Sequence, residues 1–296
     1  MLNQAYPVND AVIARLRILT EKDIASDPSW LLAPIVVCSN REKDQLQKVK
    51  AVAFAIANNT CVITWKHPLV GSNALKFSET ALNILHKSQP ELMGTFVLGA
   101  PAFLNNNLDC SHGLANGTPL LLHSLTLNPD DQPETYANAI ADARPGQIVT
   151  IPCPFSVNVS VPSVDASTWN PINTLVPGQV VIPLQLKNPR KNILSIASYN
   201  LPYKSHLYDL AFAITFHKIQ GQTVKKLILD LNQRPGKKLG SLCFHEFYVG
   251  LSRVKLGDDL RILPPHKENS FEYLKKLKPP DDLIQWLNSE LAKPTH

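Results

Sequence analysis

The chain of 296 residues lacks the features that define several large classes of protein. No apolar run approaches the ~20 residues that a membrane-spanning helix needs, so we expect no membrane partner. Asn3, Asp10 and Arg15 interrupt any secretory signal. The five cysteines are scattered and form no Cys-x-x-Cys pair, and the nine histidines show no His-x-x-x-His spacing. We therefore expect neither a disulfide framework nor a metal site. We also expect the protein to lie in a reducing compartment, nuclear or otherwise intracellular.

The charge of the chain is modest in size and uneven in distribution. Hydrophobic residues make up 44% and charged residues 18%, a balance typical of a globular protein. Residues 203–296 hold 15 Lys and Arg side chains against 10 Asp and Glu, so the whole formal net charge of +5 lies there. This distribution indicates a polyanionic partner, although a basic surface without any partner has the same composition.

The first part of the chain alternates between strand and helix patterns after the polar residues 1–30. Residues 34–38 are a short apolar run suited to a buried strand, and residues 61–65 are a second one. Between them the spacing predicts a helix whose apolar face is formed by Leu46, Val49, Ala53 and Ile56. This alternation predicts an α/β layer with parallel strands.

Proline marks a change of composition in the middle of the chain. Twelve of the 24 prolines lie between residues 119 and 202, where the apolar segments are short. This density excludes long helices and predicts a small β-rich insertion. Beyond it the α/β pattern returns, and we expect a helical tail that is broken at Pro279-Pro280. The spacing there predicts a helix over 243–254 and strands at 211–215, 225–231 and 259–263.

The most informative stretch follows the strand predicted at 211–215. Residues 215–223 read Thr-Phe-His-Lys-Ile-Gln-Gly-Gln-Thr, a polar turn with several kinds of hydrogen-bond donor and one positive charge. Gly221 allows the backbone to turn tightly and to approach a ligand. Loops at strand ends are where open α/β sheets bind ligands. A polar loop without a function has the same composition, and the residues alone favour neither interpretation.

A second segment, residues 247–254, reads Phe-Tyr-Val-Gly-Leu-Ser-Arg-Val and ends a predicted helix with Arg253. The planar guanidinium group matches the geometry of a phosphate. Taken alone, however, an arginine at a helix end is more often a solvated cap for the last carbonyl groups. The position of Arg253 by itself therefore favours the cap.

Together the two segments resemble motifs V and VI of superfamily 1B DNA helicases. They are most similar to the petite-integration-frequency family with its RecD-like and Helitron-transposon relatives. The family pattern, T-x-H-K-S-Q-G-x-T followed by Y-V-A-L-S-R-V, is met at nearly every position, with Ile219 in place of Ser and Gly250 in place of Ala. Residues 107–118 resemble the family's N-L-D…G-L-x-N-G-T hairpin, and residues 33–41 resemble its motif IV. The resemblance covers about residues 20–265.

The resemblance implies an α/β fold of the RecA-like type, as in P-loop NTPases. Residues 31–118 and 203–265 are expected to form the second motor domain of such a helicase. Residues 119–202 are expected to interrupt it as a small β-rich, SH3-like subdomain of the 2B type. Residues 1–30 would then be a linker, or the tail of an upstream domain, and residues 266–296 a helical tail.

The resemblance also implies roles for individual residues. Arg253 would be the arginine finger, the catalytic residue that stabilises the transferred γ-phosphate. Arg41 would be the motif IV arginine on the same nucleotide cleft, with Gln220 and Gly221 facing the nucleotide. Thr215, His217, Lys218 and Thr223 would couple that cleft to the DNA backbone.

One departure from the family pattern concerns ATP. The sequence contains no G-x-x-x-x-G-K-[ST] loop, which cradles the β- and γ-phosphates in such enzymes. We therefore expect ATP and Mg²⁺ to bind only with a missing N-terminal RecA-like domain, in cis or in trans. The resemblance then implies ATP-driven unwinding of DNA with single-stranded DNA or a junction as partner. The processes implied are DNA repair, recombination, replication or telomere maintenance, in the nucleus. The alternative is a nucleic-acid-binding module, or a degenerate transposon helicase, without ATPase activity.

Overall fold

The computed structural model of the chain describes residues 8–164, 180–187, 192–196, 198–233, 242–265 and 271–291. Within them the α-helices are α1 Asp10–Ile13, α2 Glu21–Ser26, α3 Asn40–Ala57, α4 Glu79–Ser88, α5 Pro133–Ala141, α6 Phe216–Ile219, α7 Phe244–Leu251 and α8 Asp281–Leu291. The first seven strands are β1 Ile35–Val37, β2 Val62–Lys66, β3 Met93–Phe96, β4 Pro101–Leu104, β5 Pro119–Thr126, β6 Ile148–Thr150 and β7 Ser156–Ser160. The remaining strands are β8 Val181–Gln185, β9 Ile193–Ile196, β10 Tyr199–Pro202, β11 Tyr208–Leu210, β12 Ala213–Thr215, β13 Leu227–Leu229 and β14 Leu260–Ile262.

The chain divides into two compact units. The first contains residues 1–43 and 213–296, and the second contains residues 44–212. These divisions differ from the predicted boundaries at 118/119 and 202/203. The reason is strand pairing: β5 and β11 both pair with β4, so strands from both sides of each predicted boundary belong to one sheet.

The first unit is built on a four-stranded parallel sheet with the order β12-β1-β13-β14. Val37 lies opposite Thr215, Val36 opposite Leu229, and Leu229 opposite Ile262. Every residue of β1, β12 and β13 is buried, as expected for parallel strands covered on both faces. The sheet confirms the predicted α/β class, with strands within each of the predicted ranges 211–215, 225–231 and 259–263.

The first strand–helix–strand alternation does not form one parallel layer, and that part of the prediction is wrong. β1 pairs with β12 and β13 in the first unit, whereas β2 pairs with β3 and β6 in the second. Each short apolar strand therefore finds its partners far along the chain. Local periodicity cannot reveal such a choice of partner.

The buried face of α3 also differs from the predicted one. Val49 and Ile56 are 68% and 57% exposed, whereas Ala51, Phe54 and Ala55 are buried. The helix carries two apolar stripes, and the one with the aromatic ring turns inward. The ring of Phe54 packs against that of Phe212, with 5.4 Å between the ring centroids. That contact orients the helix.

Residues 1–30 are not irregular where the structure describes them. Residues 8–30 contain α1 and α2, and the chain between these helices extends the sheet beyond β14. The carbonyl of Arg17 accepts a hydrogen bond of 2.8 Å from the Ile262 N–H, and the Leu19 N–H donates one of 2.8 Å to the Ile262 carbonyl. This short pairing covers the otherwise open edge of β14.

Trp30 connects the same N-terminal segment to the sheet. It is 4% exposed, and its ring contacts two cations, the Lys226 ammonium at 4.9 Å and the Arg261 guanidinium at 4.8 Å from the ring centroid. Arg261 also donates two hydrogen bonds to Asp23. Hydrogen bonds from Thr20 and then Arg261 lower the pKa of Asp23 to about 2, so this carboxylate stays ionised and paired.

The second unit contains a five-stranded sheet, β11-β4-β5-β7-β8, whose neighbours are all antiparallel. A three-stranded sheet, β3-β2-β6, and the two-stranded β10-β9 complete its strands within the described residues. The strands predicted inside the proline-rich stretch are present, and the nine-residue α5 is its one described α-helix. Buried aliphatic side chains of both larger sheets share one core with Phe54 and Phe212 of the same unit.

The C-terminal tail is helical, as the sequence predicts. The described residues form a 3₁₀-helix over Phe271–Lys276 and then α8, with Pro279-Pro280 between them. None of the described helices is both long and apolar enough to cross a membrane.

Two buried histidines of the second unit predict acid lability. Burial lowers the pKa of His67 to about 3 and that of His206 to about 4. An unfolded histidine takes up its proton near pH 6.5, so stability is lost as the pH falls below that value. We expect the free energy of unfolding to drop by roughly 2–4 kcal/mol between pH 7 and pH 5 in urea titrations.

The variant His206→Gln is the control for this effect. Glutamine can still donate a hydrogen bond to the Pro154 carbonyl, which accepts one from His206 in the native chain. Because glutamine does not titrate, the variant should lose about half of the acid sensitivity. An unchanged pH dependence in His206→Gln would contradict the assignment.

Candidate functional site

The residues predicted to contact DNA lie along one short segment, from the end of β12 through α6 to the turn that follows it. Thr215 ends the strand and is buried, at 8% exposure. In α6 the side chains of Phe216 and Ile219 point into the core, whereas His217 and Lys218 are exposed. Ile219, which replaces the family's Ser, is therefore an apolar anchor for this turn.

The backbone then turns at Gly221. Its φ of +81° lies in the left-handed region, and a Cβ added there would meet no heavy atom within 4 Å. Glycine is thus required by conformation and not by a close neighbour. The Gln222 side chain donates a 2.9 Å hydrogen bond to the Lys218 carbonyl and closes the turn. Gln220, Gly221 and Thr223 are left exposed.

The helix α7, which carries the motif VI pattern, begins with a capping box. Glu246 accepts a hydrogen bond of 2.9 Å from the Cys243 N–H, and its own N–H is bonded by the Cys243 side chain. Its second carboxylate oxygen, Oε1, lies 3.7 Å from His217 Nε2. Glu246 could not be recognised from the sequence as part of a capping box, because cysteine is an unusual residue at the start of a helix.

Arg253 caps the other end of the same helix. Its Nε donates hydrogen bonds to the Val249 carbonyl at 3.0 Å and to Ser252 Oγ at 3.2 Å, and a terminal guanidinium nitrogen donates to Ser252 Oγ at 2.7 Å. This is the helix-cap geometry. The backbone of Arg253 also joins the other segment, since its carbonyl accepts a hydrogen bond of 3.0 Å from the Val224 N–H. The two sequence patterns therefore meet directly in space.

The two arginines predicted for one nucleotide cleft belong to different elements, since Arg41 lies in α3 and Arg253 follows α7. Arg41 is exposed in the first turn of α3, just past the carboxyl end of β1, and Thr215 ends the neighbouring parallel strand. Arg253 instead adjoins Val224, which precedes the amino end of β13. Arg41 and Thr215 thus lie near the carboxyl ends of neighbouring parallel strands.

The described residues hold no group of three or more His, Cys, Asp or Glu side chains arranged for a metal ion. The anion-cradling loop that would bind the phosphates of a nucleotide is not in the sequence. The residues present therefore do not fit a complete ATP site.

Comparison with known proteins supports the fold. No protein-family model matches the chain, and no curated protein matches it. Among solved structures, the Pif1 helicase from Candida albicans matches over 96% of this chain and 55% of that chain, with 14% identity and a TM-score of 0.50. Pif1 helicase from Bacteroides in complex with ADP-AlF3 and ssDNA matches over 97% and 51%, with 16% identity and a TM-score of 0.49.

The likeness establishes the fold class. The chain is α/β, with the parallel sheet of a RecA-like domain, and it shares the fold of a Pif1 helicase over most of its length. It spans about half the length of these solved structures. At 14% identity the likeness to the Candida albicans structure identifies the fold alone.

The cap formed by Arg253 gives a stability prediction. Arg253→Ala removes the donor to the Val249 carbonyl and a positive charge at the helix C-terminus. We expect it to lower the free energy of unfolding by about 1 kcal/mol in urea titrations. Lys255→Ala, at an exposed position two residues on, is the matched control and should be nearly neutral. Equal effects of the two substitutions would contradict the cap.

Proposed function

We propose that the chain is the second motor domain of an ATP-dependent DNA helicase of the Pif1 type. It would act with an N-terminal RecA-like domain that supplies the phosphate-binding loop, in cis or in trans. The observation that carries this proposal is the Val224–Arg253 hydrogen bond, which joins the motif V segment to the motif VI helix. Two sequence patterns of one helicase family are thereby parts of one local structure.

The DNA side of the proposed site is the exposed surface of residues 217–223. His217 and Lys218 are adjacent on α6, and Thr223 follows the turn at Gly221. An ammonium group, an imidazole and a hydroxyl can all donate hydrogen bonds to phosphate oxygens. Thr215, at the buried base of this segment, would hold it at the strand end. The contacts would be to the DNA backbone, without base specificity.

The nucleotide side of the proposed site is Arg253. ATP and Mg²⁺, bound by the partner domain, would supply the phosphoryl group and the charge that activates it. To reach that group, the guanidinium must exchange its bonds to Val249 and Ser252 for phosphate oxygens. A planar, permanently charged fork suits this exchange, because it can bind two oxygens at once. Gln220 and Gly221 would face the nucleotide, and Arg41 would be the motif IV arginine on the same cleft.

The remaining assignments are proposals of the same kind. Residues 119–202, within the second unit, would be the β-rich, SH3-like subdomain of the 2B type. The cellular role would be DNA repair, recombination, replication or telomere maintenance, in the nucleus. A second candidate function is nucleic-acid binding without turnover, as in a degenerate transposon helicase. It is favoured by the missing phosphate loop and by the use of Arg253 as a helix cap.

The first test is composite ATPase activity. The chain alone should hydrolyse no ATP, because its sequence contains no phosphate-binding loop. Joined or added to a matching N-terminal domain, it should give DNA-stimulated hydrolysis. Arg253→Ala should then lower the turnover number by roughly 10³–10⁵ with little change in ATP or DNA affinity, since the finger acts on charge that develops in the transition state.

Two further variants sharpen that test. Arg253→Lys should restore little turnover, because a point charge does not reproduce the guanidinium fork. Lys255→Ala should behave as the native chain. Thermal melts verify that each variant is folded. Near-normal turnover in Arg253→Ala would reject the arginine finger and favour the second candidate function.

The second test measures DNA binding by the chain itself. Single-stranded DNA should bind weakly, with an affinity that falls as the salt concentration rises, because each phosphate contact releases counterions. Lys218→Ala should lower the affinity and reduce the slope of log K against log salt by about 0.7. Fluorescence anisotropy with labelled oligothymidine gives both quantities, and Lys255→Ala is the control. Binding that is absent at low salt, or insensitive to salt, would contradict a role in DNA tracking.

A further inference from the structure

In the first unit, α7 packs so closely at Gly250 that an alanine side chain would not fit there. Gly250 lies in α7, where the resembling helicases commonly have Ala. A Cβ added at Gly250 would lie 2.8 Å from Cε1 of Phe216 and 3.0 Å from Cδ2 of Leu229. Both side chains are fully or almost fully buried. The Phe216 ring therefore occupies the space that an alanine methyl group would need.

Gly250 is needed for this close approach, and its backbone conformation is an ordinary helical one. Gly250 lies within a regular helix, and its φ is not among the positive values of the described chain. Glycine in a helix costs about 1 kcal/mol relative to alanine. Here the close packing of Phe216 and Leu229 against Gly250 offsets that cost.

The same helix is connected to the motif V segment at each end as well. Near its beginning, Glu246 Oε1 lies 3.7 Å from His217 Nε2. Past its end, the Arg253 carbonyl accepts the hydrogen bond from Val224. The contact between Phe216 and Gly250 lies between these two connections. Unlike them, it is made by tightly packed groups, which cannot be compressed.

We propose that Phe216 and Gly250 are positioning residues that make the motif V turn and the motif VI helix move as one body. Any displacement of α7, which carries Arg253, is transmitted through the Phe216 ring to His217 and Lys218, the next two residues. The inference rests on the proposed function for the roles of Arg253 and Lys218. The steric contact itself is independent of that function.

The test uses four variants of the full chain: Gly250→Ala, Phe216→Leu, their combination, and Gly257→Ala. The last is a matched control, because a Cβ added at Gly257 would meet nothing within 4 Å. Urea titrations give the double-mutant cycle. Gly250→Ala should destabilise the chain and Gly257→Ala should not. The combination with Phe216→Leu should be more stable than the sum of the single changes, because the smaller side chain makes room for the methyl group.

Two readouts separate transmission from mere packing. The amide hydrogens of Gln222 and Val224 should exchange faster in Gly250→Ala and return towards native rates in the double variant. The affinity for oligothymidine should fall roughly two- to thirty-fold in Gly250→Ala, the range typical of energetically coupled positions, and recover in the double variant.

The outcomes distinguish this inference from the proposed function. If the native chain binds no oligothymidine, the DNA role fails, while the cycle and the hydrogen exchange still decide the inference. Additive stabilities, or native exchange at Gln222 in a destabilised Gly250→Ala, would overturn it. So would a loss of DNA affinity in Gly250→Ala that Phe216→Leu does not restore.

Discussion

The parallel pairing of β1 with β12 and β13 is the constraint on which the first unit depends. These strands come from distant parts of the chain, and their register places Val37 beside Thr215 and Val36 beside Leu229. The motif V turn leaves from the end of β12, and its last residues lead into β13. The motif VI helix precedes β14, which pairs with β13. Without this sheet, neither sequence pattern would have a fixed position relative to the other.

The strands of this sheet could be predicted from the sequence because their signals are local. Short apolar runs bounded by polar turns marked β12, β13 and β14, and the family pattern marked the turn and helix between them. Prediction failed where a choice depended on distant partners. The inward face of α3 was decided by the contact of Phe54 with Phe212, and β2 joined strands of the second unit. Residues 8–30 are held in place by contacts with Ile262, Lys226 and Arg261. No local sequence pattern predicts those contacts.

The candidate site shows the same division between local and distant information. The exposed side chains of α6 and the turn at Gly221 follow from the residues themselves. The bond between Val224 and Arg253 joins two backbone groups, which leave no trace in side-chain identity. The replacement of Ala by Gly250 was visible in the sequence, but its cause, the ring of Phe216, became clear only from the packing. In the structure Arg253 caps a helix, and the arginine finger is the catalytic role proposed for it.

The long separation between β1 and its partners has a consequence for synthesis. Roughly 175 residues separate the end of β1 from the start of β12, and at 5–20 residues per second the ribosome needs about 10–35 s to make them. During that interval Ile35–Val37 has been translated, and β12, β13 and β14 have not. Residues 44–212 can meanwhile complete their own core. The nascent chain thus carries an unpaired apolar strand beside a finished unit, the state in which chaperones bind and aggregation begins.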